Sequence, residues 1–75
     1  MDRLEELVTE ILDAERSVSD ATGADTEPNW DSLAQLEILI TVEEAFDVKF
    51  SAEEIAGANS VGRIRQLLAE RTPTA

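Results

Sequence analysis

The sequence predicts an all-α fold: a small bundle of three principal helices and one short helix, with a long loop after the first. Three observations predict it. Apolar residues recur at helical spacing in three separate stretches. A capping residue precedes each helical stretch. No segment reads as a strand of consequence.

The first helix is predicted over residues 3–16. Leu4, Leu7, Val8, Ile11 and Leu12 form one face, with Glu5, Glu6, Glu10 and Asp13 opposite. Asp2 is placed to cap it, and an acidic first turn suits the helix dipole. From Ser17 to Asn29 the periodicity dissolves into Ser, Asp, Thr, Gly, Asn and Pro among alanines, which predicts a long loop. Val18 and Ala21 are candidates to tack this loop onto the core. Loops of about a dozen structureless residues are usually functional or mobile. Pro28 turns Glu27 away from helix and stiffens the approach to Trp30 and Ser32.

The second helix is predicted over residues 32–46. Ser32 with Gln35 three residues on fits a capping box, and Asp31 is the alternative cap. Leu33, Leu36, Leu39, Ile40 and Phe46 fall at helical spacing, and Ile38 and Val42 widen the stripe beyond half the circumference. Such a helix lies centrally among others or keeps an apolar face for partners. Glu37, Glu43 and Glu44 mark its solvent side. Asp47 to Phe50 reads as a short extended connector. Ser51 and Glu54 form a second capping-box pattern, opening a short helix through Ile55 that Gly57 ends. Asn59 or Ser60 caps the last helix. Val61, Ile64, Leu67 and Leu68 face inward, and Arg63, Arg65 and Gln66 outward. Thr72 to Ala75 reads as a frayed tail of a single domain, 1–75.

Composition narrows the function. A chain of 75 residues buries only about 60% of its unfolded surface, so the core is small. There is no cysteine, histidine or tyrosine. The commonest general base, metal ligand and thiol nucleophile are therefore missing. Paired carboxylates can perform acid–base work, but only in a cleft that a bundle this small has little room for. The sequence points to a non-enzyme. The carboxylates do not match a calcium-loop spacing, so no metal site is expected.

Seventeen acidic against six basic residues give a formal charge of −11. That argues against nucleic acid and against anionic membranes, and for encounter with basic protein surfaces. No basic residue occurs between Arg16 and Lys49. No window approaches the ~18 apolar residues of a membrane span. The acidic N-terminus is unlike a signal peptide, so a cytoplasmic monomer is the expectation.

One residue stands out. Ser32 opens the most apolar helix beside a carboxylate, and a serine in such a place is most often only a cap. A phosphate ester there would meet unpaired N–H groups and the positive end of the helix dipole. Asp31 is suited to helping a modifying enzyme hold Mg²⁺. With no imidazole in the chain, any catalysis of that modification comes from another protein.

Asp31-Ser32-Leu33, Leu36-Glu37-Ile38, Val42-Glu43-Glu44-Ala45-Phe46 and Ser60-Val61-Gly62 together resemble the acyl carrier proteins. The resemblance runs from about Trp30 to Leu68. It implies an acyl-carrier-type four-helix bundle with Ser32 bearing a 4′-phosphopantetheine arm, transferred from coenzyme A by a phosphopantetheinyl transferase. The arm's thiol would hold acyl groups as thioesters, which suits a chain without cysteine. By the same resemblance, Asp31 belongs to the transferase recognition site. Glu37, Glu43 and Glu44 would meet basic docking patches on acyl-loading and synthase enzymes. Leu33, Leu36 and Ile40 would add apolar contacts, with Phe46, Val61, Ile64 and Leu67 in the core.

Some residues depart from the family's commoner patterns. Ala34 stands where fatty-acid carriers usually have an acidic residue, and Trp30 precedes Asp31. The paired glycines of peptidyl carriers are absent before Ser32. Trp-Asp-Ser-Leu-Ala is most similar to freestanding carriers of polyketide and related specialised pathways, some of which hold an extender unit or a small hydroxy acid. A fatty-acid carrier, a D-alanyl carrier and an acidic interaction module without covalent cargo are the alternatives.

Overall fold

A computed structural model describes residues 2–13 and 18–71. Positions 14–16 of the expected first helix, and the tail 72–75, lie outside them. Four helices follow in order: α1 (Arg3–Leu12), α2 (Ser32–Phe46), α3 (Ala52–Gly57) and α4 (Val61–Arg71). Helix α2 packs on α1 and α3, and α1 packs on α4. The radius of gyration is 11.3 Å, matching the ~11 Å of a close-packed chain this long.

Local chemistry sets the boundaries. Asp2 caps α1 in a reciprocal box with Glu5. The helix stops at Leu12, earlier than its apolar periodicity suggests, because Asp13 turns left-handed at φ 50° and returns its N–H to the Glu10 carbonyl. Asn29 reaches back to the same end, its side-chain amide donating to the Leu12 carbonyl at 2.9 Å. Ser51 and Glu54 form their reciprocal box at α3. That helix runs through Gly57 itself and ends at Ala58, one residue beyond the expected stop. Ser60, rather than Asn59, caps α4: its hydroxyl accepts the Arg63 N–H at 3.1 Å.

The core gathers Leu4, Leu7, Val8 and Leu12 of α1, Ile38, Leu39 and Val42 of α2, and Val61, Ile64, Leu67 and Leu68 of α4. Val18, Trp30, Phe50 and Ala58 from the connections complete it. Phe46 is only half-buried against this cluster. Arg65 does not point simply outward. Its guanidinium pairs with Asp2, Glu5 and Asp20, tying α1 and the first loop to α4.

The first loop is ordered by turns and docks on the α3–α4 junction. Ala24 N–H donates to the Asn59 carbonyl, Val61 N–H to Thr22 and Gly62 N–H to Asp20, all at 2.9–3.0 Å. A single antiparallel bridge joins Gly23 to Ser60, and no strand forms among the described residues. Val18 is buried, as expected of a tacking residue, whereas Ala21 is exposed. Trp30 takes the anchoring role instead, at 4% exposure, because an indole buries more apolar surface than a methyl can.

Candidate functional site

Ser32 is the first residue of α2 and is exposed. The cap is Asp31, not Ser32: the Asp31 carboxylate accepts the Ala34 N–H at 2.8 Å. The Ser32–Gln35 box therefore does not form. Asp31 holds the extended backbone that a cap requires (φ −103°, ψ −175°), whereas Ser32 is already helical. This leaves the Ser32 hydroxyl uncommitted. Of the first-turn amides, Ala34 binds Asp31's carboxylate and Gln35 closes on its carbonyl. Those of Ser32 and Leu33 have no partner within the helix, as at any helix start.

The approach to Ser32 is rigid. Trp30 is buried two residues earlier, and its backbone N–H donates to the Glu27 carbonyl at 3.0 Å. Its indole N–H donates to the Gln35 side-chain oxygen at 3.0 Å. Gln35 also donates to the carbonyls of Ile55 and Ala56 in α3. Neither Trp30 nor Gln35 stood out as a site residue in the sequence. A signal was present nonetheless: a buried indole needs an acceptor, and Gln35 lies just over one helical turn away.

Beyond Ser32 the two faces of α2 separate cleanly. Ile38, Leu39 and Val42 are fully buried. On the opposite side Leu33 is 73% exposed, and Leu36 and Ile40 are each 45% exposed. These three form a stripe at i, i+3 and i+7, and exposed Glu37 and Glu44 lie on the same face. The wide apolar circumference is thus one half core and one half outward-facing. Glu43 is displaced from that face. It is half-buried, and its carboxylate accepts the Phe50 N–H at 2.8 Å, so it serves the α2–α3 connector rather than lying free in solvent. An open groove lined by Ile40, Glu43, Glu44, Asp47, Val48 and Lys49 continues the stripe toward the C-terminal end of α2.

Two of the described guanidiniums are engaged in ion pairs away from this face. Arg65 serves its three carboxylates, and Arg71 pairs with Glu54 and lies 5.4 Å from the Phe50 ring centroid. Among the described residues no group of three or more acidic or other ligating side chains is placed to hold a metal. Nor is any helix among them long and apolar enough to cross a membrane.

The residues at Ser32 fit a phosphodiester-linked arm. The hydroxyl is exposed, two amides stand open beside it, and the neighbouring carboxylate is fixed by its own cap. The fold is the deciding comparison. Over 89% of this chain and 90% of the other, the structure superposes with a TM-score of 0.79 on a candidate acyl carrier protein from Mycobacterium tuberculosis. The fold is that of an acyl carrier protein. Sequence identity over this acyl-carrier fold is 19%, so the likeness is one of architecture. No protein-family model matches the chain, and no curated protein sequence matches it significantly.

Proposed function

We propose that this protein is a non-catalytic acyl carrier whose Ser32 bears a 4′-phosphopantetheine arm. The observation that carries this reading is the placement of Ser32. It is an exposed, uncommitted hydroxyl at the first position of α2, beside an exposed apolar stripe, in a bundle of acyl-carrier architecture. The arm supplies the thiol, and so the thioester chemistry, that a chain without cysteine lacks.

This chain's own residues present and dock. Ser32 Oγ forms the ester bond to phosphorus as the pyrophosphate of coenzyme A is cleaved and the nucleotide leaves. The hydroxyl proton passes to a base on the phosphopantetheinyl transferase, since no histidine is available here. The open Ser32 and Leu33 amides and the helix dipole favour the resulting negative charge. Asp31 fixes the helix start and gives the transferase an oxygen for Mg²⁺. Leu33, Leu36 and Ile40 form the apolar centre of a docking face, and Glu37 and Glu44 the charged rim that meets Lys and Arg of synthases and loading enzymes. Glu43 joins that rim with its connector-facing carboxylate only at the edge.

Polyketide or related specialised metabolism suits the chain better than fatty-acid synthesis. The support is Ala34 in place of an acidic residue after Asp31-Ser32-Leu33, together with Trp30 before it. The reading is tested by labelling with a fluorescent coenzyme A analogue and a broad-specificity transferase, then mapping the labelled peptide. Label on the peptide containing Ser32 is expected. Label elsewhere, or none with an active transferase, overturns it.

A further inference from the structure

Gln35 holds two separate parts of the fold at once. Its side-chain nitrogen donates to the carbonyls of Ile55 at 2.7 Å and Ala56 at 3.0 Å. These lie in the last turn of α3, where carbonyls lack the regular helical partner four residues on, although the Ile55 carbonyl also accepts the Ala58 cap N–H at 3.3 Å. Its side-chain oxygen accepts the Trp30 indole N–H at 3.0 Å. The chemistry fixes which end of the amide is which, because an indole can only donate and a carbonyl only accept. Trp30 is buried and sits two residues before Ser32.

Helix α3 is the lightly held element of the bundle. It contributes no buried residue, and Ile55 is only half-buried against the core. Its first turn is tethered by Glu54 to Arg71. Its C-terminal turn is held by Gln35. The same side chain therefore secures the end of α3 and the segment that delivers Ser32.

We propose that Gln35 is a positioning residue that couples the docking of α3 to the presentation of Ser32. The activity arm of this proposal rests on the carrier reading; the structural arm does not. When α3 leaves, Gln35 loses both carbonyl acceptors and is free to rotate. The buried indole N–H then loses its fixed partner, a loss that loosens the Trp30–Asp31 turn. When α3 is docked, that turn is locked and Ser32 stands in one place.

The test compares wild type with Gln35→Glu and Gln35→Ala. Glutamate retains an acceptor for Trp30 but sets an oxygen against the two α3 carbonyls. Alanine removes both links and is a good helix former, so α2 is retained. Amide hydrogen exchange is expected to speed up in both variants at Ile55 of α3 and at its cap Ala58, and also at Ala34, whose N–H is held by Asp31. Trp30 is the only tryptophan in a chain without tyrosine, and its emission should shift to the red in Gln35→Ala. In the transferase reaction, kcat should fall about tenfold with KM unchanged, since misplacing a reacting group by ~1 Å can cost up to ~10²-fold. The docking residues Leu33, Leu36 and Ile40 are untouched by either change. Faster exchange confined to α3, or a wild-type kcat in both variants, overturns the proposal. If the wild type itself takes no arm, the carrier reading falls, and the exchange pattern still decides whether Gln35 couples the two segments.

Discussion

At the scale of single residues, Asp31 and Ser32 divide two tasks at the start of α2. A serine that caps its own helix has its oxygen tied to a backbone amide. Here Asp31 takes that task and Ser32 keeps a free hydroxyl. The two positions should therefore respond differently to alanine. Asp31→Ala removes a cap and should cost about 1 kcal/mol of unfolding free energy. Ser32→Ala should change stability by no more than about 0.5 kcal/mol, as at a surface position with no special contact. Urea denaturation of the two variants checks both, and a cost at Ser32 as large as that at Asp31 would contradict the assignment. The sequence left these roles open, since Ser32-x-x-Gln35 and Asp31 both satisfy a capping pattern. What decides is Gln35, whose side chain is drawn to Trp30, 5 residues before it, and to α3, 20 and 21 residues after it.

At the scale of elements, α2 carries the main contrast. Leu39 and Ile40 are adjacent in sequence, yet one is fully buried and the other 45% exposed. Leu39→Ala should cost roughly 2–5 kcal/mol through lost burial and the cavity left behind. Ile40→Ala should stay within about 0.5 kcal/mol and instead weaken docking to a partner enzyme. Thermal unfolding of both variants, with binding measured for Ile40→Ala, checks the pair. The helix itself was legible to the residue, because its start lies beside Asp31 and its end beside Asp47. Which half of its apolar surface faces inward was not, because seven apolar side chains spread around the helix leave periodicity without a single direction. The first loop was harder still. Much of its docking rests on backbone hydrogen bonds, from Ala24 to the Asn59 carbonyl and from the Val61 and Gly62 N–H groups to the Thr22 and Asp20 carbonyls, which leave no side-chain pattern. Gly23 is the one readable trace. A Cβ there would lie 2.3 Å from the Asn59 carbonyl oxygen and 2.9 Å from Ser60 Cα. Gly23→Ala should consequently cost about 3 kcal/mol, the upper end of overpacking losses, because backbone must move. A denaturation midpoint equal to wild type would show that the loop does not dock there.

At the scale of the whole molecule, a formal charge of −11 works against compaction and toward basic partners. Two carboxylates resist this trend. Asp2 is held below its ordinary value of 3.8, first by the Glu5 amide and then by Arg65. Glu54 is held below 4.5, first by the Ser51 amide, with partial burial opposing and Arg71 assisting. A folded-state pKa below the unfolded one contributes stability that is full above the ordinary value and is lost as pH falls through the lowered one. Acidification toward the pI of about 4.1 relieves repulsion, and further acidification removes these two contributions. The Tm should hold or rise down to about pH 4.5 and fall below it. A variant carrying Asp2→Asn and Glu54→Gln should lose less Tm over that acid limb, and an equal loss would contradict the two caps as its source. The architecture was readable at this scale from the helix count and the Asp31-Ser32-Leu33 pattern, while the arginine pairs that close α1 and α3 onto α4 were not, since they join residues far apart in sequence. The carrier reading itself is met most directly by intact mass. Wild type and Ser32→Ala are each incubated with coenzyme A, Mg²⁺ and a broad-specificity phosphopantetheinyl transferase proven active on a control carrier. A gain of one phosphopantetheine on wild type alone is the expected result. A folded wild type that gains nothing, or a Ser32→Ala variant that gains the same mass, would contradict it.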